Sequence, residues 1–273
     1  DANNLVLVED CVHALGARFA GKPVGSFGRA AFFSTEETKT ISSTMGGMAV
    51  TDDAELAAAI RDVQSACEVP PRSLAARYLI KQVIYHLFTH PQIHRLTRPI
   101  YMWLRQHPSA HLAPGATTEV EMRSDRPPGY EMRLCNGQAT VARRQLRRLG
   151  PNLAHRAVMA SRYAAELPKL GFAVPRPAAG SEPAYVRFPT RVKDRDTAME
   201  IAEQRVILGR WFTAVLEEAA SLSLGGYEEG SCPRAEQAGR ELINLPTHLR
   251  ASEGDIEALL AVLAEVEPAA DCA

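Results

Sequence analysis

Residues 32–50, FFSTEETKTISSTMGGMAV, contain the strongest indications of fold and chemistry in the chain. Two apolar runs, AAFFS over residues 30–34 and GGMAVT over residues 46–51, flank a polar loop that holds one lysine, Lys39. Short apolar runs bounded by polar residues and glycine predict strands. The loop lysine is either a solvated charge or a nucleophile held at the end of a sheet, and this stretch alone leaves both open.

The sequence on either side predicts an α/β unit. Residues 5–8 form an apolar run that ends in Glu9 and Asp10, which predicts an interior parallel strand followed by polar residues. Residues 52–66, DDAELAAAIRDVQSA, begin with aspartates and continue with apolar residues at helical spacing. Because aspartates favour a helix N-terminus, this segment predicts a capped amphipathic helix.

Composition excludes several classes of function. The 273 residues include 31 Lys and Arg against 32 Asp and Glu, so the net charge of −1 gives no overall attraction to nucleic acid or membranes. The five cysteines have no C-x-x-C spacing and predict reduced thiols in a cytoplasmic protein. No apolar run is long enough to span a bilayer, and no signal peptide is present. The chain starts in a predicted strand without an initiator methionine, which indicates a fragment of a longer protein or a truncated gene product.

A basic and aromatic segment predicts a helical insertion over residues 67–128. Between residues 69 and 118 there are six Arg or Lys, five histidines and five aromatic residues, but no Asp or Glu. We favour a helical subdomain that covers the active-site mouth or a dimer partner, because aromatics at helical spacing are usually core residues. The alternative, from the Arg and His side chains clustered without acidic residues, is a surface for a phosphate-rich ligand or for anionic lipid. No metal site is predicted, since no compact histidine pair occurs.

Residues beyond the insertion predict a long helix and a small α+β domain. A helical pattern covers residues 138–167, with a break or kink at the Gly-Pro pair 150–151. A strand (AYVRFPT, 184–190) and a helix (DTAMEIAEQRV, 196–206) follow. A terminal helix near residues 255–266 is predicted to begin with a capping box formed by Ser252 and Asp255.

Polar residues follow the predicted strands where a ligand could bind. Open α/β sheets bind ligands beyond the carboxyl ends of their strands. Asp10 and Ser34 lie at two such ends, and Lys39 follows Ser34 by five positions. Taken singly, Asp10 is more often a cap or loop carboxylate, Ser34 a turn residue and Lys39 a solvated charge. Likewise, His13 alone would more often be a core histidine.

The order of these residues resembles a known family. Residues 6–61 contain a strand ending in E-D, then a histidine, G-A, V-G-S-F-G, F-S, a lysine five positions after that serine, and G-G. This order resembles the sugar aminotransferases of the DegT/StrS type. Residues 129–149, GYEMRLCNGQATVARRQLRRL, and residues 230–260, which contain P-R-A-E and L-P-T-H, resemble later parts of the same family. The resemblance covers nearly all of the chain except about residues 69–128.

The resemblance implies a fold-type I α/β protein that uses pyridoxal 5′-phosphate (PLP). Residues 1–66 would be the C-terminal part of the PLP-binding large domain with its mostly parallel sheet, and residues 129–273 the linking helix and the small domain. It implies an aminotransferase that converts a nucleotide-linked keto-sugar into an amino sugar, with glutamate as amino donor. It also implies a homodimer with a shared active site.

Each matched residue has a role that the resemblance implies. Lys39 would form the Schiff base with PLP and later shuttle a proton, for which its amine must be neutral. Asp10 would keep the pyridine nitrogen protonated, which makes the ring an electron sink. Ser34 would donate to the phosphate, and His13 would lie beside the phenolic oxygen. Dehydratases that resemble this family have histidine in place of the lysine, so Lys39 favours the aminotransferase.

The loop around Lys39 departs from the family pattern. Glu36 and Glu37 lie where the family commonly has the H-P of S-F-H-P-T-K, and they bring negative charge near the lysine. Thr44 and Met45 lie where it commonly has the G-E of G-E-G-G. These changes leave the cofactor assignment in place and weaken any statement about substrate.

A further departure and a missing segment favour a rival hypothesis. Glu131 replaces an asparagine that, in the family, reaches the phosphate of the neighbouring subunit's PLP, so we expect Arg133 or another cation to offset it. The family's phosphate loop and ring-stacking aromatic precede the first residue of this chain. The rival is therefore a truncated or degenerate, non-catalytic member with a regulatory or partner-binding role, which the set of Asp10, Ser34 and Lys39 opposes.

Overall fold

The computed structural model describes residues 5–88, 130–202, 205–216 and 226–270. The chain divides into two compact units. The first contains the described residues 5–88, 130–152 and 178–184, and the second contains the other described residues. All residues of the predicted active site lie in the first unit.

A three-stranded sheet organises the first unit. Strand β1 (Val8–Asp10) pairs in parallel with β4 (Ala30–Ser34), which pairs antiparallel with β5 (Gly47–Val50). This described sheet is mixed, and residues 35–46, which connect β4 to β5, contain no crossover helix of the kind that usually joins parallel strands. A second small sheet contains β2 (Arg18–Phe19), β3 (Lys22–Pro23) and β6 (Ser181–Glu182).

The first strand differs from its prediction in position and burial. β1 begins at Val8, and the side chains of residues 5–8 are 53% to 76% exposed. Among the described residues β1 pairs with β4 alone, so a second neighbouring strand does not cover this apolar run. The prediction of a buried interior strand over residues 5–8 is therefore wrong here, whereas the strands predicted at residues 30–34 and 46–51 are confirmed.

Three helices complete most of the first unit: α1 (Ala54–Ala66), α2 (Arg72–Phe88) and α3 (Asn136–Leu146). The predicted cap of α1 is confirmed, because Asp53 Oδ1 accepts hydrogen bonds from the backbone N–H groups of Glu55 and Leu56 at 2.9 and 3.0 Å. The predicted apolar stripe of α1 buries no residue. Helix α2 lies within the predicted insertion, and residues 89–128 of that insertion lie outside the described residues.

The predicted helix break occurs earlier than expected. Helix α3 ends at Leu146 and α4 (Leu149–Glu166) begins before the Gly-Pro pair. Pro151 therefore lies in the first turn of α4, where a backbone N–H has no acceptor within the helix and its loss costs little.

The second unit packs helices on a two-stranded antiparallel sheet of β7 (Phe188–Arg191) and β8 (Leu242–Leu245). Its helices are most of α4, α5 (Arg195–Ala202), α6 (Pro233–Glu241) and α7 (Glu253–Leu263). A fully buried cluster that includes Tyr163, Phe188, Ile243, Leu245 and Ile256 forms its core, and burial of such side chains is the main source of its stability. The unit is thus α+β, as the sequence predicts.

Local signals at the end of the chain are confirmed. Ser252 N donates to Asp255 Oδ2 at 2.8 Å and Asp255 N donates to Ser252 Oγ at 3.2 Å, which is the predicted capping box.

Across the described ranges, no helix combines the length and apolar character needed to cross a membrane. Within the same ranges, no group of His, Cys, Asp and Glu side chains could hold a metal ion.

Candidate active site

The Lys39 loop, residues 35–46, is a closed and largely buried connection between β4 and β5. Thr35 N donates to the carbonyl of Gly46 at 2.9 Å, and Ser43 N donates to the carbonyl of Thr35 at 2.8 Å. The hydroxyl oxygens of Thr35 and Ser43 lie 2.7 Å apart. These contacts bring the two ends of the loop together, so the conformation of the loop that carries Lys39 is constrained.

Amide side chains hold the backbone of this loop. Gln138 Nε2 donates to the carbonyls of Ser43 and Met45 at 3.0 and 3.1 Å, and Asn152 Nδ2 donates to the carbonyl of Thr40 at 2.9 Å. Gln145 bonds both backbone groups of Ser42. Buried carbonyls need such partners, because water does not reach them. The sequence analysis missed these supports: Gln138 and Gln145 are seven residues apart on one face of α3, and Asn152 follows seven residues later in the first turn of α4.

Lys39 and His13 lie in direct contact. Lys39 Nζ is 3.0 Å from His13 Nε2, although the two residues are far apart in sequence. His13 follows the end of β1 and is exposed, while Lys39 is half-buried. The structure therefore brings an amine and an imidazole together at the carboxyl edge of the sheet.

Asp10 and Ser34 end the two parallel strands at that same edge. Asp10 is opposite Phe32 in the ladder, and Ser34 follows Phe32 by two positions. Asp10 Oδ1 accepts from Val12 N at 3.1 Å, and Ser34 Oγ accepts from Glu36 N at 3.2 Å. Both side chains thus make the turn contacts expected of loop residues while lying on the edge predicted to bind the ligand.

Glu9, which the sequence analysis did not single out, anchors the loop before β4. Its carboxylate accepts hydrogen bonds from the backbone N–H groups of Gly25, Phe27 and Gly28 at 2.7 to 2.8 Å. Burial raises the pKa of the Glu9 carboxyl, but the three N–H donors outweigh this and hold the pKa below its usual value. A charged anchor therefore fixes the segment that links β1 to β4.

The two glutamates of the Lys39 loop have different environments. Glu36 Oε2 accepts from the backbone N–H and the hydroxyl of Thr38 at 2.9 and 2.6 Å. Glu37 is buried, and its Oε2 lies 3.7 Å from Lys81 Nζ of α2. Burial raises the pKa of Glu37 to about 7, although Lys81 opposes the shift. The negative charges predicted near Lys39 are thus bonded within the loop or paired with α2.

Arg133, predicted to offset Glu131, instead binds the end of α1. Its Nε donates to the carbonyl of Cys67 at 3.0 Å and its Nη2 donates to that of Ser65. The last carbonyls of a helix have no N–H donor within the helix, and a cationic side chain at that end can donate to them. Glu131 is exposed, and its role toward a neighbouring subunit stays a prediction.

Comparison with known proteins identifies the family of the chain. The DegT/DnrJ/EryC1/StrS aminotransferase family matches residues 1–264. The chain belongs to this family. A DegT-family aminotransferase from Brucella abortus has a solved structure that superposes with a TM-score of 0.66 at 20% identity, over 97% of this chain and 58% of the other. That likeness confirms the fold of PLP-dependent transferases of fold-type I.

Two curated relatives in the DegT family differ in how much of this chain they match. GDP-perosamine synthase from Caulobacter vibrioides is 26% identical over 274 residues, which is 97% of this chain and 59% of that protein. L-glutamine:scyllo-inosose aminotransferase from Streptomyces griseus is 49% identical over 55 residues, 20% of this chain and 13% of that protein. Relatives such as GDP-perosamine synthase match nearly all of this chain, yet the chain spans little more than half of their length.

DegT-family aminotransferases use PLP, and solved relatives of this fold include a PLP-form of a sugar aminotransferase from Streptococcus pneumoniae (TM-score 0.61, 18% identity, over 95% of this chain and 57% of the other). The residues of this chain fit that cofactor. An amine within 3.0 Å of an imidazole lies at the sheet edge that also carries the Asp10 carboxylate and the Ser34 hydroxyl. An aldehyde, a protonated ring nitrogen and a phosphate are the groups that such side chains can bind.

Proposed function

We propose that the full-length protein is a PLP-dependent aminotransferase that converts a nucleotide-linked keto-sugar into an amino sugar in the cytoplasm. The 3.0 Å contact between Lys39 Nζ and His13 Nε2, beside Asp10 and Ser34, carries the proposal. GDP-perosamine synthase, which matches nearly the whole chain, supports the substrate class. We propose glutamate as the amino donor, with the L-glutamine named for the Streptomyces griseus relative as the alternative.

The side chains divide the chemistry among them. PLP, when bound, supplies an electrophilic aldehyde and a ring that accepts electrons. Lys39 Nζ would hold the cofactor at its aldehyde carbon, and its neutral amine could take up and return a proton. Asp10 would keep the pyridine nitrogen protonated, and Ser34 Oγ would donate to the phosphate. His13 Nε2, 3.0 Å from Lys39 Nζ, would orient the lysine amine.

Borohydride trapping tests the function. At one equivalent of PLP we expect the full-length protein to turn yellow, and reduction to attach the label to the peptide that contains Lys39, because the binding site concentrates the aldehyde at that amine over other lysines. Tandem mass spectrometry of the peptides identifies the lysine. Lys22, exposed in strand β3, serves as the internal control. A label on Lys22, or no label, would contradict the assignment, and no label would favour the non-catalytic hypothesis.

The proposal includes a homodimer whose two-fold interface completes each active site. In that arrangement Glu131 of one subunit lies near the phosphate of the other, an isologous contact. Two anionic groups at close range repel each other, so the change Glu131→Asn should tighten PLP binding. If water screens the repulsion in the interface, we expect a gain of about 0.2–1 kcal/mol, up to about fivefold in the dissociation constant, and in a poorly solvated interface up to a few kcal/mol.

Cofactor titration of the full-length protein measures this change, with Glu55→Gln as the matched control on exposed α1. Sedimentation of both variants reports the oligomeric state. Unchanged or weaker PLP binding in Glu131→Asn, or a monomer, would mean that this segment does not reach a neighbouring site.

A further inference from the structure

Helix α2 contacts the Lys39 loop at the positions where the loop departs from its family pattern. Lys81 of α2 pairs with Glu37, their nearest charged atoms being 3.7 Å apart. Thr44 Oγ1 lies 2.8 Å from Gln82 Oε1 and 3.1 Å from the carbonyl of Tyr78. Helix α2, which belongs to the predicted insertion, therefore contacts Glu37 and Thr44, two of the loop residues that differ from the family pattern.

Thr44 needs this contact because of its backbone. Its φ of 75° is in the left-handed region, where a β-branched residue is strained and glycine is not. The family pattern commonly has glycine there, whereas Thr44 is buried and its hydroxyl reaches α2. A strained conformation persists only when its surroundings hold it. Helix α2 thus supplies a constraint that a glycine at this position would not need.

Glu37 depends on α2 through its charge. The side chain is 4% exposed, and among the described residues neither carboxyl oxygen has a hydrogen-bond partner. Lys81 from α2 favours the charged carboxylate, and Glu36 from the loop opposes it. A buried carboxylate is costly without a nearby cation, so the charged form of Glu37 is tolerated in the packed loop only because Lys81 lies beside it.

Helix α2 is also packed on the helix that holds the other side of the loop. A Cβ at Gly137 of α3 would lie 2.8 Å from Leu79 Cδ1 of α2, so α3 has its glycine at the point of close approach. The next residue of α3, Gln138, donates to the loop carbonyls. The loop, α2 and α3 therefore form one packed group.

We propose that α2 locks the Lys39 loop, and that Lys81 and Gln82 are positioning residues for Lys39. The proposal rests on the proposed function, because it takes Lys39 to be the residue that binds PLP. It assigns a role to α2: this helix supplies, by contacts from outside, the rigidity that a proline would give the loop from within, and it holds Thr44 in a conformation that glycine adopts without strain.

The sign of the pH dependence follows from Glu37. Its pKa is about 7 in the folded protein against an ordinary value of 4.5, so the folded state binds the proton more tightly. Stability then falls as pH rises from about 4.5 to about 7 and levels off above that. Without Lys81 the folded pKa rises further, and the fall should continue to higher pH.

Thermal unfolding of the full-length apoprotein at pH values from about 5 to 9 tests the ion pair. We expect Lys81→Met to lower the melting temperature increasingly above pH 7, and Glu37→Gln in the same protein to remove that dependence. Arg77→Met removes an exposed cation from the same helix and should follow the wild type. Equal pH profiles for Lys81→Met and Arg77→Met would overturn the lock.

PLP titration tests the positioning of Lys39. If the loop is seated in only a tenth of molecules, the affinity for PLP falls about tenfold, which is the loss we expect for Lys81→Met at pH 8. Lys81→Arg should restore most of it, and Gln82→Leu should weaken PLP binding at every pH. Wild-type affinity in both Lys81→Met and Gln82→Leu would overturn the positioning role. A wild type that forms no imine would instead contradict the proposed function, while the unfolding profiles still decide whether the pair exists.

Discussion

The change Asp10→Asn should abolish most transamination while leaving the fold intact. Asn keeps the oxygen that accepts from Val12 N at 3.1 Å, so the turn after β1 is preserved. It removes the negative charge that would hold a proton on the pyridine nitrogen. Because proton placement of this kind contributes about 10²–10⁴-fold to a rate, we expect a loss of that size in the chemical step.

Single-turnover conversion of bound PLP to its pyridoxamine form measures this step apart from substrate binding. Asp52→Asn is the matched control, since Asp52 is an exposed aspartate just before α1 and outside the proposed site. The circular dichroism spectrum and the melting temperature of both variants should match those of the wild type. A rate within threefold of the wild type, which corresponds to a change of about 0.65 kcal/mol or less in the activation free energy, would remove Asp10 from the mechanism.

Features that depend on neighbouring residues were predictable from the sequence. The cap of α1 by Asp53 and the capping box of Ser252 and Asp255 follow from side chains that bond backbone groups two or three positions away. The strands on either side of Lys39 follow from short apolar runs with polar boundaries. The edge shared by Asp10 and Ser34 follows from the parallel pairing of two strands.

Features that depend on distant partners were not predictable. Burial of residues 5–8 was predicted from their apolar side chains, but burial requires a neighbouring element, and the described structure provides only β4. The contact of Glu37 with Lys81 joins a loop to a helix that the sequence predicted to cover the active-site mouth or a dimer partner, but the sequence did not indicate which side chains would meet. Arg133 was proposed to offset the charge of Glu131, and the sequence did not indicate that it would also donate to carbonyls at the end of α1.

The support of the Lys39 loop by Gln138 makes the second large effect predictable. Gln138 is buried, and its Nε2 donates to the carbonyls of Ser43 and Met45. Gln138→Leu keeps the approximate volume but leaves both carbonyls without this donor. The Met45 carbonyl still accepts from Ser43 Oγ at 3.1 Å, so the Ser43 carbonyl is the one that loses its donor. An unsatisfied buried polar group costs about 1–3 kcal/mol, and the free energy of unfolding should fall by about that amount.

The same change should reduce the fraction of protein that forms an imine with PLP, because Lys39 belongs to the loop that Gln138 holds. Urea unfolding of the full-length apoprotein gives the free energy, and PLP absorbance gives the imine. Gln138→Glu is the second variant: it keeps the acceptor for Cys135 N but replaces the donor with an oxygen that repels both carbonyls, so it should be at least as damaging. Gln64→Leu, at an exposed glutamine of α1, is the matched control and should stay within about 0.5 kcal/mol of the wild type. If Gln138→Leu also stays within that range, the loop does not depend on this amide, and the closed loop alone must hold Lys39 in place.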